Sequence, residues 1–160
     1  MTSDLLIYKR VLVVDDEPDI LHIVGELLHM CEVVKVSSFD EAKEVLEREY
    51  FDLAILDIMG VQGYSLLEIA DRRGITAVML TAHALSPEDT EKSFKGGAAY
   101  YVPKDEIKNL PTYLGDVLEA KLQGKNTWSR WMDRFSAFYA RKFGPSWKSR
   151  AEALKIIFPR

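Results

Sequence analysis

Asp15, Asp16 and Glu17 follow directly on Val11-Leu12-Val13-Val14, and Asp57 follows Leu53-Ala54-Ile55-Leu56. In the same way Thr81 follows Ala77-Val78-Met79-Leu80, and Lys104 stands just after Ala99-Tyr100-Tyr101-Val102. Carboxylates gathered at one place raise one another's pKa unless a cation joins them. Mg2+ suits such a set, because it takes carboxylate and water oxygens in octahedral geometry and shares them with phosphoryl groups. Asp57, alone at the end of its run, could attack a phosphoryl group as a carboxylate nucleophile and form an acyl phosphate. Asp15 and Asp16 would then hold the metal, Lys104 would pair with the new phosphoryl charge, and the Thr81 hydroxyl would hydrogen-bond one of its oxygens.

The elements that must position these groups are legible as an alternation. Val11 to Val14, Val33 to Val36, Leu53 to Leu56 and Ala77 to Leu80 are short, rich in β-branched residues and apolar throughout, as buried parallel strands are. Ala99 to Val102 is a fifth. Helical spacing fills the intervals: Ile20, Ile23, Val24, Leu27 and Leu28 after Pro18; Ala42, Val45 and Leu46 after Asp40 as N-cap; Leu66, Leu67, Ile69 and Ala70 before Gly74. A polar helix is predicted from Ser86 to Lys95, and a last one from Asn109-Pro111 to Leu122. Five strand–helix repeats imply an α/β fold, an open parallel sheet with helices on both faces, whose ligand site lies beyond the carboxyl ends of the strands.

Val13-Val14-Asp15-Asp16-Glu17-Pro18, Leu56-Asp57-Ile58-Met59, Leu80-Thr81-Ala82, Gly97-Ala98-Ala99 and Tyr101-Val102-Pro103-Lys104 occur in that order over residues 8–123. In this the sequence resembles the receiver domain of bacterial two-component response regulators, the chemotaxis receivers among them. The resemblance implies a flavodoxin-like doubly wound sheet of order 2-1-3-4-5, and an Asp57 that accepts a phosphoryl group from a sensor histidine kinase or phosphotransfer protein. It implies Mg2+ held by Asp16, by Asp15 through water, by Asp57 and by the backbone carbonyl of Met59. Thr81 and Tyr101 would form the switch, the hydroxyl moving toward the phosphoryl group and the ring turning inward behind it. His83 stands at the rim of the site, where side chains of this family influence phosphoryl lifetime. Two departures are visible: the loop Gly60-Val61-Gln62-Gly63 is about two residues shorter than usual and has no Pro, and Lys104 is preceded by Pro103 and followed by Asp105. A trans bond after Lys104 is expected, since a cis non-Pro bond costs roughly 3 kcal/mol.

Composition separates this receiver-like part, residues 1–123, from a tail, residues 124–160. Residues 1–120 hold 11 Lys+Arg and 23 Asp+Glu, a net of −12, whereas residues 121–160 hold 10 and 2, a net of +8. All three Trp (Trp128, Trp131, Trp147) lie in the tail. With Thr127 as N-cap, Trp128, Trp131, Met132, Phe135, Phe138, Tyr139 and Phe143 recur at steps of three and four, an apolar helical stripe stopped by Gly144-Pro145. A second short helix is expected from Ser146 through Ile157. The stripe is too large to leave in water and is expected to pack on the receiver's own surface or on a second copy of the chain. Arg130, Arg134, Arg141, Lys142, Lys148, Arg150 and Lys155 leave open a nucleic acid or an anionic membrane surface as partner, although a helix-turn-helix does not fit comfortably into the roughly 35 residues available.

Other classes are disfavoured. A single cysteine, Cys31, read as a small apolar filler, gives neither an internal disulfide nor a zinc cluster, and His22 and His29, seven apart, have no metal-binding spacing. No apolar run reaches the roughly 18 residues of a membrane span, and no signal peptide opens the chain, so a cytoplasmic location is expected. Met59 stands where a hydrolase of phosphorylated metabolites would carry a second Asp, so the protein is expected to act through a downstream protein partner rather than by turnover. The alternative is a degenerate receiver, a phosphorylation-independent binding module acting through the tail.

Overall fold

The computed structural model describes residues 2–82 and 87–144. Its strands are β1 (Arg10–Val14), β2 (Glu32–Val36), β3 (Leu53–Asp57), β4 (Ala77–Thr81) and β5 (Tyr100–Pro103). Its helices are α1 (Pro18–Leu27), α2 (Phe39–Arg48), α3 (Gly63–Arg72), α4 (Pro87–Lys95), α5 (Leu110–Leu122) and α6 (Thr127–Phe143). The strands form one parallel sheet in the order β2-β1-β3-β4-β5. Val11 pairs with Val33 and Leu53, Leu56 with Met79, and Met79 with Tyr101. Helices flank the sheet, α1 packing beside α5 and α2 beside α3, as right-handed crossovers require. Their apolar faces bury every residue of the inner strands β3 and β4, and all of the third inner strand, β1, but Arg10.

Two helix starts differ from the sequence expectation by the same cause. Ser38, not Asp40, caps α2: its Oγ accepts the Glu41 amide, which places Asp40 in the first turn. Asn126, not Thr127, caps α6, its Oδ1 accepting the Trp128 amide at 2.8 Å. In each case a short polar side chain one or two residues upstream already satisfies an amide of the first turn. Gly144, at φ 74°, ends α6 as expected, and no cis peptide occurs among the described residues. His83, Ser86, the side chain of Phe138 and the expected helix from Ser146 lie outside the described residues.

β5 is an edge strand, yet all four of its residues are buried, because α6 covers it. The indole N–H of Trp128 donates to the Ala98 carbonyl at 2.6 Å, and that of Trp131 to the Tyr101 carbonyl at 3.0 Å. Carbonyls at the margin of the sheet, a liability when bare, are thereby occupied by side chains of the same chain. Trp131 packs on Tyr101 with ring centroids 4.9 Å apart, Phe135 lies 5.2 Å from Tyr113 of α5, and Phe94 of α4 meets Trp128 edge-on at 5.7 Å. Of the two readings of the stripe, packing on the receiver's own surface is therefore the observed one.

Charge follows the same path. Asp116 of α5 is buried and accepts two hydrogen bonds from Arg134, at 2.8 and 3.1 Å, while Arg130 reaches Glu119 at 2.6 Å and Asp116 at 3.5 Å. The basic tail thus neutralises carboxylates of the acidic part of the chain that precedes it. The buried Tyr100 hydroxyl in this interface has no hydrogen-bond partner among the described residues. Burial, and then the charge of Asp116, push its pKa far above the ordinary phenol value, so it stays neutral.

Trp131→Ala is expected to lower unfolding free energy by roughly 3–5 kcal/mol, as for other large aromatics removed from a core. Tyr100→Phe, which removes only the unpaired hydroxyl, should leave stability unchanged or raise it by up to about 1 kcal/mol. Urea unfolding of the two variants checks both signs.

Candidate functional site

The carboxyl ends of β1 and β3 lie side by side, since Val14 pairs with Leu56, so Asp15-Asp16-Glu17 and Asp57 come to one edge of the sheet. Asp15 and Asp57 are buried; Asp16 and Glu17 are exposed. Lys104, the residue after β5, reaches across to them. Its Nζ lies 2.6 Å from Glu17 Oε1, 3.0 Å from Asp15 Oδ2 and 3.4 Å from Asp57 Oδ1. Asp15, Asp57 and Lys104, expected from sequence at the strand ends, are thus brought together. Glu17, given no role of its own by the sequence reading, is the partner closest to Lys104.

Each group bears the mark of the others. Burial raises the pKa of Asp15 above its ordinary value; the Glu17 amide, donating to Oδ1 at 2.9 Å, and Lys104 offset part of that rise. Asp57 adds to it by repulsion. Burial alone would lower the Lys104 ammonium, but its hydrogen bond to Glu17, its close approach to Asp15 and the charges of Asp15 and Asp57 outweigh it and hold Lys104 above its usual range. Lys104 is therefore a permanent cation. Asp15 Oδ2, although close to Lys104, receives no well-aligned hydrogen bond.

The loop after Asp57 explains its own shortness. The Gly60 amide donates to Asp57 Oδ2 at 3.1 Å, so one carboxylate oxygen faces the loop and the other faces Lys104. A Cβ on Gly60 would collide with the Asp16 carboxylate, and one on Gly63 with the carbonyl of Asp57 and the Cα of Ile58. Only glycine lets α3 begin against the backbone of the strand end, and the compact turn sets Gln62 in the left-handed region at φ 54°. These glycines were visible in the sequence, but their contacts with Asp16 and Asp57 were not. The Met59 side chain is 83% exposed, at the outside of this turn.

Thr81 and Tyr101 share a sheet face, because Tyr101 pairs with Met79 and Thr81 stands two residues on. The Thr90 hydroxyl of α4 donates to the Tyr101 hydroxyl at 3.3 Å, and the ring is fully enclosed. The tail residues Trp128, Trp131, Phe135 and Tyr139 lie buried over it and its neighbours, away from the carboxylates. His22 and His29 are exposed on and just beyond α1, His22 pairing with Glu26 at 3.0 Å. The Cys31 thiol, pushed up to about 11 by burial and then by Asp52, donates to the Leu6 carbonyl. No helix among the described residues is long and apolar enough to cross a membrane.

Comparison with known proteins agrees with this arrangement. The model of the response regulator receiver domain matches residues 11–114. Heme response regulator HssR of Staphylococcus aureus (strain Newman) is 37% identical over 106 residues, 62% of this chain and 46% of that protein. Two-component response regulator ARR10 of Arabidopsis thaliana is 34% identical over 113 residues, 63% of this chain and 20% of that protein. The chain thus spans less than half the length of these curated relatives. Among solved structures, a CheY-like response regulator receiver domain protein from Methanospirillum hungatei JF-1 superposes with a TM-score of 0.59 at 30% identity, covering 70% of this chain and 98% of that one. Chemotaxis response regulator CheY4 of Vibrio cholerae gives 0.61 at 26% identity, covering 69% and 98%. With its sheet order, its strand-end carboxylates and a family match over residues 11–114, the chain belongs to the response regulator receiver domain family of two-component systems.

Proposed function

We propose that this protein receives a phosphoryl group on Asp57 and passes the signal on by changing its contacts with a protein partner. The bridge of Lys104 across Asp15, Glu17 and Asp57 carries the reading, because it sets a permanent cation beside a buried carboxylate at a strand end. An oxygen of Asp57 attacks phosphorus; the new P–O bond forms as the bond to the leaving group breaks. The electron pair departs with that group, a histidine nitrogen of a sensor kinase or phosphotransfer protein. Lys104 meets the charge on the phosphoryl oxygens, and the Gly60 amide holds the attacking carboxylate in place. Thr81 and Tyr101, on one sheet face, act as the switch.

The donor set fits a hard divalent cation. Carboxylate oxygens of Asp15, Asp16 and Glu17 lie within 4.8 Å of one another, and buried Asp15 Oδ2 lacks an aligned donor. Asp15, Asp16, Asp57 and the Met59 carbonyl would hold Mg2+, with Glu17 close by. Bound there, Mg2+ would neutralise the phosphoryl oxygens during transfer. Residues 1–123 would form the phosphoacceptor unit and residues 124–160 an appended helical tail. That tail uses Arg130 and Arg134 internally, which favours a protein output over nucleic acid.

Incubated with acetyl phosphate and Mg2+, the full chain should gain one phosphoryl group by intact mass, lost in Asp57→Ala and without Mg2+. No gain, or an equal gain in Asp57→Ala, refutes the assignment and leaves a phosphorylation-independent binding module. Asp16→Asn should weaken Mg2+ affinity by about tenfold or more, and Asp19→Asn should leave it nearly unchanged; equal effects in a calorimetric titration would move the site elsewhere. Asp15 yields a test without metal. A carboxyl whose pKa is raised on folding favours the fold at low pH, and that contribution is lost as pH climbs from its ordinary 3.8 through the folded value. Asp15→Asn should therefore raise the melting temperature at pH 7 in chelator, with the gain shrinking toward pH 4. A melt lowered at pH 7 would show that the Lys104 pair outweighs the burial of Asp15.

A further inference from the structure

Helix α6 grips the strand that delivers Lys104. The Trp131 indole holds the main chain of β5 at the Tyr101 carbonyl, three residues before Lys104. Its ring, with those of Trp128 and Tyr139, closes over the Tyr101 side chain at centroid distances of 4.9, 6.1 and 6.0 Å. With α6 seated, the ring of Tyr101 has no path to solvent, and its hydroxyl stays on Thr90 of α4. With α6 lifted, both the ring and the edge of β5 are released. Lys104 meanwhile answers to Asp15, Glu17 and Asp57, so any added charge at Asp57 pulls on the end of the same strand. Phosphorylation replaces the single carboxylate charge of Asp57 by the nearly two negative charges of a phosphoryl group, a net gain of about one.

We propose that α6 is an intramolecular regulator of the carboxylate site: its seat on β5 and phosphorylation of Asp57 are coupled, the seated helix favouring the phosphorylated protein. This rests on Asp57 being the phosphoacceptor. The coupling runs through one short element, from the Trp131–Tyr101 contact along Val102 and Pro103 to Lys104. A seated α6 holds that element in one arrangement and so keeps Lys104 beside Asp57. Coupling free energies are reciprocal, so phosphorylation must in turn tighten α6. The Asp116–Arg134 pair sets how firmly α6 sits without touching either Tyr101 or the carboxylates.

Two variants of the full chain test this. Trp131→Phe keeps an aromatic ring over Tyr101 but removes the bond to its carbonyl. Arg134→Ala loosens α6 from α5 and leaves Asp116 with Arg130 at 3.5 Å. Both should slow Mg2+-dependent labelling of Asp57 by acetyl phosphate, in which acetate leaves as the aspartyl P–O bond forms, by about fivefold. Arg134→Lys should restore part of the rate, and Arg72→Ala, a surface pair on α3, should change nothing. In the reverse direction, with Trp147→Phe as background so that Trp128 and Trp131 report, labelling should reduce acrylamide quenching of the remaining emission. An unchanged or faster rate in Trp131→Phe, or quenching indifferent to labelling, overturns the coupling while the phosphoacceptor reading stands. A parent chain that takes no phosphoryl group overturns both.

Discussion

The attraction between Lys104 and the carboxylates of β1 and β3 is the interaction on which the arrangement of the site depends. Asp15 and Asp57 are buried close together, and two buried anions without a cation would drive each other toward the neutral acid. Lys104 answers that cost within the chain, but only because β5 lies in register with β4 and ends at Pro103, opposite Thr81. Shifting the pairing by one residue would turn the alternate side chains to the other face. It would carry Tyr101 off the face shared with Thr81. The register of an edge strand thus fixes the charge balance of a site two strands away.

An edge strand is the weakest place to rest such a constraint, since half of its main-chain groups lack a strand partner. The chain meets this with aromatic rings rather than with charge or a bulge. Trp128 and Trp131 fill two roles at once: their rings bury β5 and α5, and their N–H groups bond carbonyls that would otherwise face water. Trp has both a large apolar body and a donor, which a stripe of Leu or Phe would lack. The ion pairs from Arg130 and Arg134 to Asp116 and Glu119 then hold the helix on α5, the buried Asp116 carboxylate depending on Arg134 for two hydrogen bonds.

The central part of this structure was legible in the sequence because it obeys one rule at a time. The three inner strands, β1, β3 and β4, are covered on both faces, so they read as unbroken apolar runs, and the polar residue that ends each run falls at the carboxyl edge of the sheet. The places of Asp15, Asp57 and Thr81 at strand ends, and of Lys104 just after β5, were read that way. What the sequence hid are relations between distant segments. Nothing in Glu17 distinguishes a Lys104 partner from a helix-capping acid; its role appears only once β5 is beside β4 and β1 beside β3. The caps at Ser38 and Asn126 were displaced because Asp40 and Thr127 are equally good capping types, and which one accepts the amide is decided by the entry angle of the chain. The stripe of α6 could be read as apolar and helical, but its seat could not: a period of three and four says that a face must be buried and not against what.

The seat of α6 has one further consequence, which follows from its tether. Only Gln123, Gly124, Lys125 and Asn126 separate α5 from α6, with Gly124 at φ 67° allowing the reversal. A segment held by so short a link meets its own receiver at an effective concentration in the millimolar range or above, for which an external partner must compensate. A protein that binds β5 directly therefore competes with α6 before it contacts the receiver, whereas a partner of the outer, polar face of α6 does not. Within a single chain, the tether makes the covered face the default state and turns exposure of Tyr100, Tyr101 and Tyr113 into an event that needs free energy from elsewhere. The Asp57 edge, joined to the same strand through Lys104, is the place where a gain of charge would deepen that default, so release of α6 calls for loss of that charge or for a partner that binds β5.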